Sequence, residues 1–404
     1  MRARLLLLLL LTACAGHRQA TYANPHATEP IGTVNEMYDG KLSPELAATT
    51  FRNIDRLFPS RIIAHGATVS PLQSAPVPLT TFSCVSRGTT YTLEQYMDRN
   101  RISGLLVLKN GRVALEQYAL GATPETHWMS MSMAKSITST LIGVAIREGR
   151  IRSLDDLVTR YVPSLEKSAY DGVTIRNVLM MASGVSWNET YTDTSSDRRH
   201  LLEAQIGQRP GVALALMAAL PRAAAPGARF NYSTGETLVA GEVVRGAVGI
   251  SLSDYLSERI WKPVGMESDG TWWLDSPEGH EIGASGITAT LRDYARFGQF
   301  ILADGVVGGR RLLPDGWVTE ASAPKSYGGR TAQYGYMWWP IPPSAGAIHA
   351  GAFEAQGIFG QYLYINRAEQ VVIVQLGAQT KPSGGGIVDP DNCFGTITTL
   401  LRNR

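Results

Sequence analysis

Segments with the pattern of β-strands lie near both ends of this 404-residue sequence and enclose a long helical stretch. Residues 102–108 and 112–120 predict two strands joined by a tight turn, and residues 358–365 and 370–376 predict a second pair. A sheet assembled from both ends of the chain, with helices on its faces, is the simplest fold that fits this order. The sequence therefore predicts a mixed α/β (α+β) fold with a second, mostly helical lobe and a binding site in the cleft between them.

The longest predicted helix spans residues 132–148 and is closed by Gly149. Ile137, Leu141 and Val144 belong to its wide apolar face, which indicates that this side of the helix is buried. Shorter helices are predicted at residues 93–100, 174–182, 199–207, 211–219, 234–247, 251–261, 289–304, 315–322 and 392–402.

Composition and charge exclude several classes of function. The 37 basic and 35 acidic residues leave a net charge of +2, and no basic block stands out, so nothing favours a nucleic-acid partner. The seven histidines are scattered, and His280-Glu281 lacks a second histidine four residues on. We therefore expect no metal and no cofactor. A Gly-x-Ser-x-Gly elbow is absent from the sequence, which argues against an α/β-hydrolase.

The first residues resemble a bacterial lipoprotein signal. Arg2 and Arg4 precede an unbroken apolar run over residues 5–11, which is too short to span a bilayer as a permanent helix. The run ends in the tetrapeptide LTAC at residues 11–14, which resembles the lipobox, where the signal is cut before a cysteine that then carries lipid. An ordinary secretory signal with a chance cysteine is the alternative.

This resemblance divides the chain into three parts. Residues 1–14 are expected to be a lipoprotein-type signal peptide ending at Cys14, residues 15–91 an N-terminal tether and irregular extension, and residues 92–404 the folded domain. Because Ala15 rather than aspartate follows the cysteine, the expected location is the periplasmic side of the bacterial cell envelope, as an outer-membrane lipoprotein. The membrane would then be a partner through the lipid anchor.

Two cysteines remain in the expected mature chain. Cys84 lies just before the predicted domain and Cys393 within its last helix. An oxidising periplasm would allow them to pair, but two unrelated thiols explain the sequence equally well.

The strongest candidate for chemistry is the S-x-x-K pattern formed by Ser132 and Lys135 at the start of the longest predicted helix. Residues three apart share a helix face, so the lysine amine can reach the serine hydroxyl and act as its base if burial keeps the amine neutral. Ser164 and Ser322 are also followed by a lysine three residues later, but neither opens a long apolar helix. Ser132 is therefore the predicted nucleophile and Lys135 its base.

Two further segments are candidates for the same site. Tyr232 lies in the loop FNYSTG at residues 230–235, just before a predicted helix, where its phenol could relay protons. In the stretch AQGIFGQ at residues 355–361, Gly357 lets a substrate approach the backbone closely. The backbone N–H of Ile358 could then form an oxyanion hole with that of Ser132. Half-buried packing of the tyrosine and a bulge in an edge strand are the structural alternatives.

Together and in this order, the three elements resemble the serine β-lactamase and penicillin-binding protein superfamily. The resemblance is nearest to the class C β-lactamase-like branch, which includes carboxylesterases, D-amino-acid peptidases and 6-aminohexanoate-dimer hydrolases. It covers roughly residues 92–402, with support from LMMASGV at 179–185, IWKPVGM at 260–266 and GQYLYI at 360–365. It implies an antiparallel sheet flanked by helices and a mostly helical lobe.

The resemblance also implies a set of roles. Ser132 would be the acylated nucleophile, Lys135 its base and Tyr232 the second proton-transfer residue. The backbone N–H groups of Ser132 and Ile358 would form the oxyanion hole.

The sequence departs from the family pattern at two motifs. Tyr-x-Asn is YST at residues 232–234, and Lys-Thr-Gly is AQG at residues 355–357. In the family, that lysine helps to bind the carboxylate of a β-lactam or D-peptide. The 6-aminohexanoate-dimer hydrolases resemble the present form, and their tyrosine on a mobile loop corresponds to Tyr191. Tyr191 and Gly357 are therefore candidate substrate-binding residues. His349, which precedes the AQG motif, is the third candidate.

The predicted function is that of a serine hydrolase acting through an acyl-enzyme on a small ester or amide. A β-lactamase or D-alanyl-D-peptidase is the first alternative. The second is a non-catalytic binding protein of the same fold in the cell envelope.

Replacing Cys14 by serine tests the predicted anchor. Cys14→Ser should prevent lipid attachment, because only the thiol accepts the lipid, and should release a periplasmic form or block processing. Mass spectrometry of the native protein would contradict the lipobox if it found an unmodified N-terminus at another residue.

Overall fold

The structure is a computed structural model that describes residues 22–404, so Cys14 and the predicted signal lie outside the described residues. The α-helices are α1 (Val34–Tyr38), α2 (Pro44–Phe51), α3 (Leu93–Arg99), α4 (Met133–Arg147), α5 (Ile175–Leu179), α6 (Asp197–Ile206), α7 (Val212–Ala219), α8 (Thr234–Val248), α9 (Leu252–Leu256), α10 (Lys262–Val264), α11 (Leu291–Leu302), α12 (Trp317–Ala321) and α13 (Pro390–Leu401). The strands are β1 (Ser60–Ile63), β2 (Cys84–Ser86), β3 (Thr89–Tyr91), β4 (Ile102–Lys109), β5 (Arg112–Tyr118), β6 (His127–Met129), β7 (Gly270–Trp273), β8 (Ile287–Thr290), β9 (Val306–Val307), β10 (Arg310–Arg311), β11 (Lys325–Tyr327), β12 (Arg330–Ala332), β13 (Trp339–Pro340), β14 (Phe353–Gly357), β15 (Gln361–Asn366) and β16 (Val371–Gly377).

The main sheet joins the two ends of the domain, as the sequence predicts. Its six strands run in the order β13-β14-β15-β16-β4-β5, and each neighbouring pair is antiparallel. The last strand, β16, pairs with β4, the first strand of the early hairpin. The prediction of an antiparallel sheet flanked by helices is confirmed.

Strand β4 shows why this sheet carries helices on both faces. Successive side chains of a strand point to opposite faces. Leu106 and Leu108 accordingly pack into the core that contains α4 and α11, whereas Leu105 and Val107 pack into the core that contains α3 and α13. A strand that is covered on both faces has a continuous run of apolar residues, not an alternation of apolar and polar residues. Residues 105–108 have such a run.

The helical lobe is centred on α8, which packs against α4, α5, α6 and α7. A second antiparallel sheet, in the order β1-β7-β8-β6, contacts α9 and α11. This sheet was not predicted from the sequence, because its strands have only three or four residues each.

The prediction of an irregular tether over residues 15–91 is wrong for much of its described part. Helices α1 and α2 begin at the capping residues Thr33 and Ser43 and bury Tyr38 and Phe51 in the main core. Strand β1 pairs with β7. Helices of five and eight residues are marginal by themselves, so tertiary packing stabilises them more than local propensity does. Residues 64–83 contain only an isolated bridge, at Ser74.

Cys84 and Cys393 form a disulfide across 309 residues of sequence. Their Cα atoms are 5.1 Å apart, and both residues are buried. The bond attaches the β2–β3 hairpin to α13, so a segment outside the main sheet is fixed covalently to the end of the domain.

Removing this disulfide should destabilise the fold. Replacing both Cys84 and Cys393 by serine should lower the free energy of unfolding by roughly 2–5 kcal/mol, because the bond restricts the unfolded chain. Urea denaturation of the two proteins measures the difference. Wild-type protein treated with a thiol reductant is the matched control and should resemble the double variant; equal midpoints in oxidised and reduced protein would contradict the prediction.

Candidate active site

An open cleft of about 820 Å³ lies where the start of α4, the loop before α8 and the end of β14 meet. Five of the predicted site residues line this cleft: Ser132, Tyr191, Tyr232, Gly357 and Ile358. Lys135 lies directly beneath Ser132, one helical turn further along α4. The structure therefore brings together residues separated by more than 220 positions in the sequence.

Ser132 is held at the head of α4 by a constrained turn. Met131, just before it, has a φ of +43°, a conformation that bulky residues rarely adopt. The turn is fixed from both sides, because Ser130 N donates to Ile287 O at 2.8 Å and Ile287 N donates to Ser130 Oγ at 3.2 Å. Backbone strain of this kind tends to occur at functional sites.

Lys135 is buried and hydrogen-bonded on three sides. Its Nζ donates to Ser132 Oγ at 2.9 Å, to Thr234 Oγ1 at 3.1 Å and to Ala284 O at 3.2 Å. Among residues 22–404, no carboxylate lies within 4 Å of it. Burial lowers the pKa of Lys135 to about 7. The negative charge of Glu189 raises this pKa, and the positive charge of Arg198 lowers it further. A neutral amine here can keep two of its donations and offer its lone pair to the Ser132 hydroxyl proton.

Tyr232 lies against the same lysine. The centre of its ring is 5.3 Å from Lys135 Nζ, and the ring packs on Tyr334 and Trp339. Burial, followed by the charge of Glu189, raises the pKa of the Tyr232 phenol, while Ser132 acts in the opposite direction. The phenol is therefore neutral at neutral pH, which suits a proton relay better than a permanent phenolate base.

Glu189 is a site residue that the sequence analysis missed. Its carboxylate accepts hydrogen bonds from the backbone N–H of Thr234 at 2.8 Å, from Thr234 Oγ1 at 2.5 Å and from Trp187 Nε1 at 2.5 Å. Thr234 replaces the asparagine of the family motif and connects Glu189 to Lys135. In the sequence, Glu189 is recognisable only as a carboxylate two residues before Tyr191, and no pattern indicates which groups it would contact.

Tyr191 is supported by the N-terminal extension. Its ring lies 6.3 Å from that of Tyr38 on α1. The guanidinium of Arg198 covers the Tyr38 ring at 4.5 Å and donates to its hydroxyl. Arg198 is only 4% exposed, and in the described part of the chain it has no carboxylate within 4 Å. A buried, unpaired cation beside the site explains part of the lowered pKa of Lys135.

Ile358 lies in a turn, which corrects the prediction of a strand over residues 358–365. Strand β14 ends at Gly357, and β15 begins at Gln361. A Cβ atom on Gly357 would lie 2.6 Å from Ser130 O, so only glycine allows the turn to approach the Ser132 segment this closely. Within residues 22–404, neither Ser132 N–H nor Ile358 N–H has a hydrogen-bond acceptor. Both groups are therefore free to bind an oxyanion.

His349 does not belong to the cleft, so its prediction as a substrate-binding residue is wrong. The ring is 3% exposed, and its Nδ1 shares a hydrogen bond of 3.0 Å with the Tyr364 hydroxyl. It packs against Gly395 of α13, beside the second core. Proximity in sequence to the AQG motif was misleading, because the chain reverses direction before β14.

The alternative S-x-x-K serines, Ser164 and Ser322, also lie away from the cleft. Ser164 is exposed in a short 3-10 turn, and Ser322 follows the last turn of α12. In the part of the chain that the structure describes, no group of three or more His, Cys, Asp or Glu side chains is arranged to hold a metal ion.

Comparisons with known proteins agree with this geometry. The model of the Beta-lactamase family matches residues 91–392. A 6-aminohexanoate-dimer hydrolase from Paenarthrobacter ureafaciens is 30% identical over 305 residues, which cover 72% of this chain and 76% of that protein.

Solved structures share the fold at lower identity. A Bacillus anthracis protein provisionally described as a 6-aminohexanoate-dimer hydrolase has a TM-score of 0.78 at 24% identity and covers 93% of this chain and 99% of its own. EstCE1, described as a hydrolase with promiscuous acyltransferase activity, has a TM-score of 0.60 at 16% identity and covers 76% of this chain and 96% of its own.

The lowered pKa of Lys135 predicts a specific pH dependence. The amine must be neutral to accept the serine proton, so kcat/KM should fall as the pH drops below about 7, with the acid limb following the lysine pKa. Lys135→Arg should be inactive at every pH tested, because a guanidinium stays protonated. Lys167→Ala, which removes the exposed lysine that follows Ser164, is the control and should leave the profile unchanged. An acid limb near pH 4 would contradict a lysine base.

Proposed function

Because this chain belongs to the Beta-lactamase family and is a serine hydrolase, we propose that it hydrolyses small esters or short linear amides through an acyl-enzyme on Ser132. One observation carries the proposal: the buried Lys135 amine lies 2.9 Å from the Ser132 hydroxyl, with its pKa lowered to about 7. A serine hydroxyl needs such a neighbouring base to become a nucleophile at neutral pH.

The proposed reaction has two half-steps. Ser132 Oγ attacks the carbonyl carbon while its proton passes to Lys135 Nζ, and the N–H groups of Ser132 and Ile358 stabilise the resulting oxyanion. The leaving alcohol or amine takes a proton from Lys135, directly or through the Tyr232 phenol, as its bond to the carbonyl carbon breaks. Water then attacks the acyl-enzyme by the same route and releases the acid and free Ser132.

The β14 strand argues for esters and linear amides over β-lactams. Where the family has lysine, Ala355 is buried in the main core, and the neighbouring Gln356 amide donates to the Glu354 carboxylate. No cation is therefore present at this place on the strand to bind a carboxylate next to the scissile carbonyl. The relative from Paenarthrobacter ureafaciens is named for a 6-aminohexanoate dimer and not for a β-lactam.

A non-catalytic binding protein would have no need for the connected polar contacts from Glu189 through Thr234 and Lys135 to Ser132. A β-lactamase or D-alanyl-D-peptidase remains the alternative enzyme, and the substrate panel below distinguishes it.

We further propose that the protein is a lipoprotein on the periplasmic side of the bacterial cell envelope, anchored at Cys14 in the outer membrane. The LTAC tetrapeptide after the apolar run supports this location, and so does the Cys84–Cys393 disulfide, since such bonds persist in oxidising compartments. Within residues 22–404, no helix has the length and hydropathy needed to cross a membrane.

A substrate panel tests the enzymatic proposal. The purified protein should hydrolyse uncharged p-nitrophenyl esters with a higher kcat/KM than cephalosporins, by about one to two decades, the value of one missing charge-assisted hydrogen bond. Ser132→Ala should abolish turnover and fluorophosphonate labelling, and Ser164→Ala, which removes an exposed serine outside the cleft, should match the wild type. Faster hydrolysis of cephalosporins would favour the β-lactamase alternative. Labelling of Ser132→Ala would contradict the assigned nucleophile.

A further inference from the structure

Arg87 lines the catalytic cleft, although it comes from outside the family match. It occupies the two-residue loop of the β2–β3 hairpin, where Ser86 pairs with Thr89. Of the cleft-lining residues in the described part of the chain, Arg87 is the one cation, and Glu189 and Asp389 are the anions. Glu189 is already bound to Thr234 and Trp187.

The backbone of Arg87 has a conformation that arginine seldom adopts. Its φ is +51°, and that of Gly88 is +78°. Hairpin loops with two positive φ values strongly favour Asn-Gly or Gly-Gly, so arginine at the first position is unfavourable for the hairpin itself. Local strain of this kind is retained where the surrounding structure imposes it, and it often marks a functional side chain.

The surrounding structure does fix this hairpin firmly. Its first residue, Cys84, is bonded to Cys393 of α13. Asp389 N donates to Ser86 Oγ at 2.9 Å, and Val388 N donates to Asn100 Oδ1 at 2.9 Å. The guanidinium is thus carried by a rigid frame, at the wall of the cleft that Val388 and Asp389 form.

The charge of Arg87 is available for a ligand. The side chain is exposed, and within residues 22–404 no carboxylate lies within 4 Å of it. Asp389, on the same wall, uses Oδ1 to accept from Asp391 N and cap α13. Arg87 lies on the β2–β3 hairpin, whereas Ser132, Lys135 and Tyr232 lie on α4 and in the loop before α8. Its charge therefore reaches the cleft from a different wall than the reacting groups.

We propose that Arg87 forms a carboxylate-binding subsite of this cleft, so that preferred substrates are extended esters or amides with a carboxylate at a distance from the scissile bond. This inference rests on the proposed hydrolase function and names its substrate class. It also explains why β14 has no lysine, because the cation is supplied by the hairpin instead. At that place it suits a linear substrate. It does not suit a β-lactam, whose carboxylate adjoins the reactive carbonyl. A planar guanidinium can bind a carboxylate through two parallel hydrogen bonds.

Two pairs of matched substrates test this subsite. One pair is the p-nitrophenyl monoester of adipic acid and the same ester with its free carboxylate converted to a carboxamide. The other is N-hexanoyl-6-aminohexanoate and its carboxamide, so that the charge lies on the leaving group. The ratio of kcat/KM for carboxylate over carboxamide should exceed one in at least one pair.

In Arg87→Gln this ratio should fall about tenfold, the effect of one charge-assisted hydrogen bond, while kcat/KM for the carboxamide stays within about twofold of wild type. Arg87→Lys should retain part of the preference, because it keeps the charge and loses the bidentate geometry. Arg150→Gln, which removes an exposed arginine at the end of α4 outside the cleft, is the matched control and should behave as wild type. Salt should weaken the preference of the wild type and not that of Arg87→Gln, since exposed charges are screened.

The outcomes separate the subsite from the function. Ester hydrolysis through Ser132 with equal ratios in wild type and Arg87→Gln would overturn the subsite and leave the hydrolase proposal intact. Absence of turnover together with absence of Ser132 labelling would overturn both. Equal thermal midpoints of wild type and Arg87→Gln would show that a change in the ratio does not come from unfolding.

Discussion

Lys135 is buried where the sheet and the helical lobe meet, and its amine connects elements that are far apart in the sequence. It contacts Ser132 at the head of its own helix, Thr234 at the head of α8 and the carbonyl of Ala284 before β8. An ammonium group is costly to bury without an anion, and here the cost appears as a lowered pKa. Burial thus lowers the pKa of the amine to about 7, which is what the proposed role as a base requires.

The surroundings of this lysine are maintained by segments that lie far from it in sequence. Arg198 adds positive charge and is itself held by Tyr38 of α1. Phe51 of α2 packs on Phe359, next to Ile358 of the candidate oxyanion hole. The N-terminal extension is therefore part of the site, although the family match begins only at residue 91.

The hairpin at residues 84–91, which the disulfide holds in place, likewise supports the cleft, at its other wall. A three-residue strand pair is marginal by itself. The disulfide between Cys84 and Cys393 fixes it to α13, and it holds Arg87 with a positive φ that is unfavourable for an isolated hairpin. The two parts of the chain thus contribute different things to the cleft: α4 and α8 lie within the family match and carry Ser132, Lys135 and Thr234, and the N-terminal segments carry Arg87 and the side chains that pack on Arg198 and Phe359.

The sequence by itself determined four of the six strands of the main sheet, the long helix and the Ser132–Lys135 pair, because these depend on local periodicity and on a three-residue helical spacing. It did not predict α1, α2 or β1, because these short elements lie in a segment without a hydrophobic period and are stabilised by packing on the rest of the domain. It placed His349 at the site by proximity in sequence, whereas a turn before β14 places that ring beside the second core, against Tyr364 and Gly395. The positions of Glu189, Arg198 and Arg87 at the cleft were decided by the tertiary structure alone. A charge acts through its distance to other groups, and those distances exist only after the chain has folded.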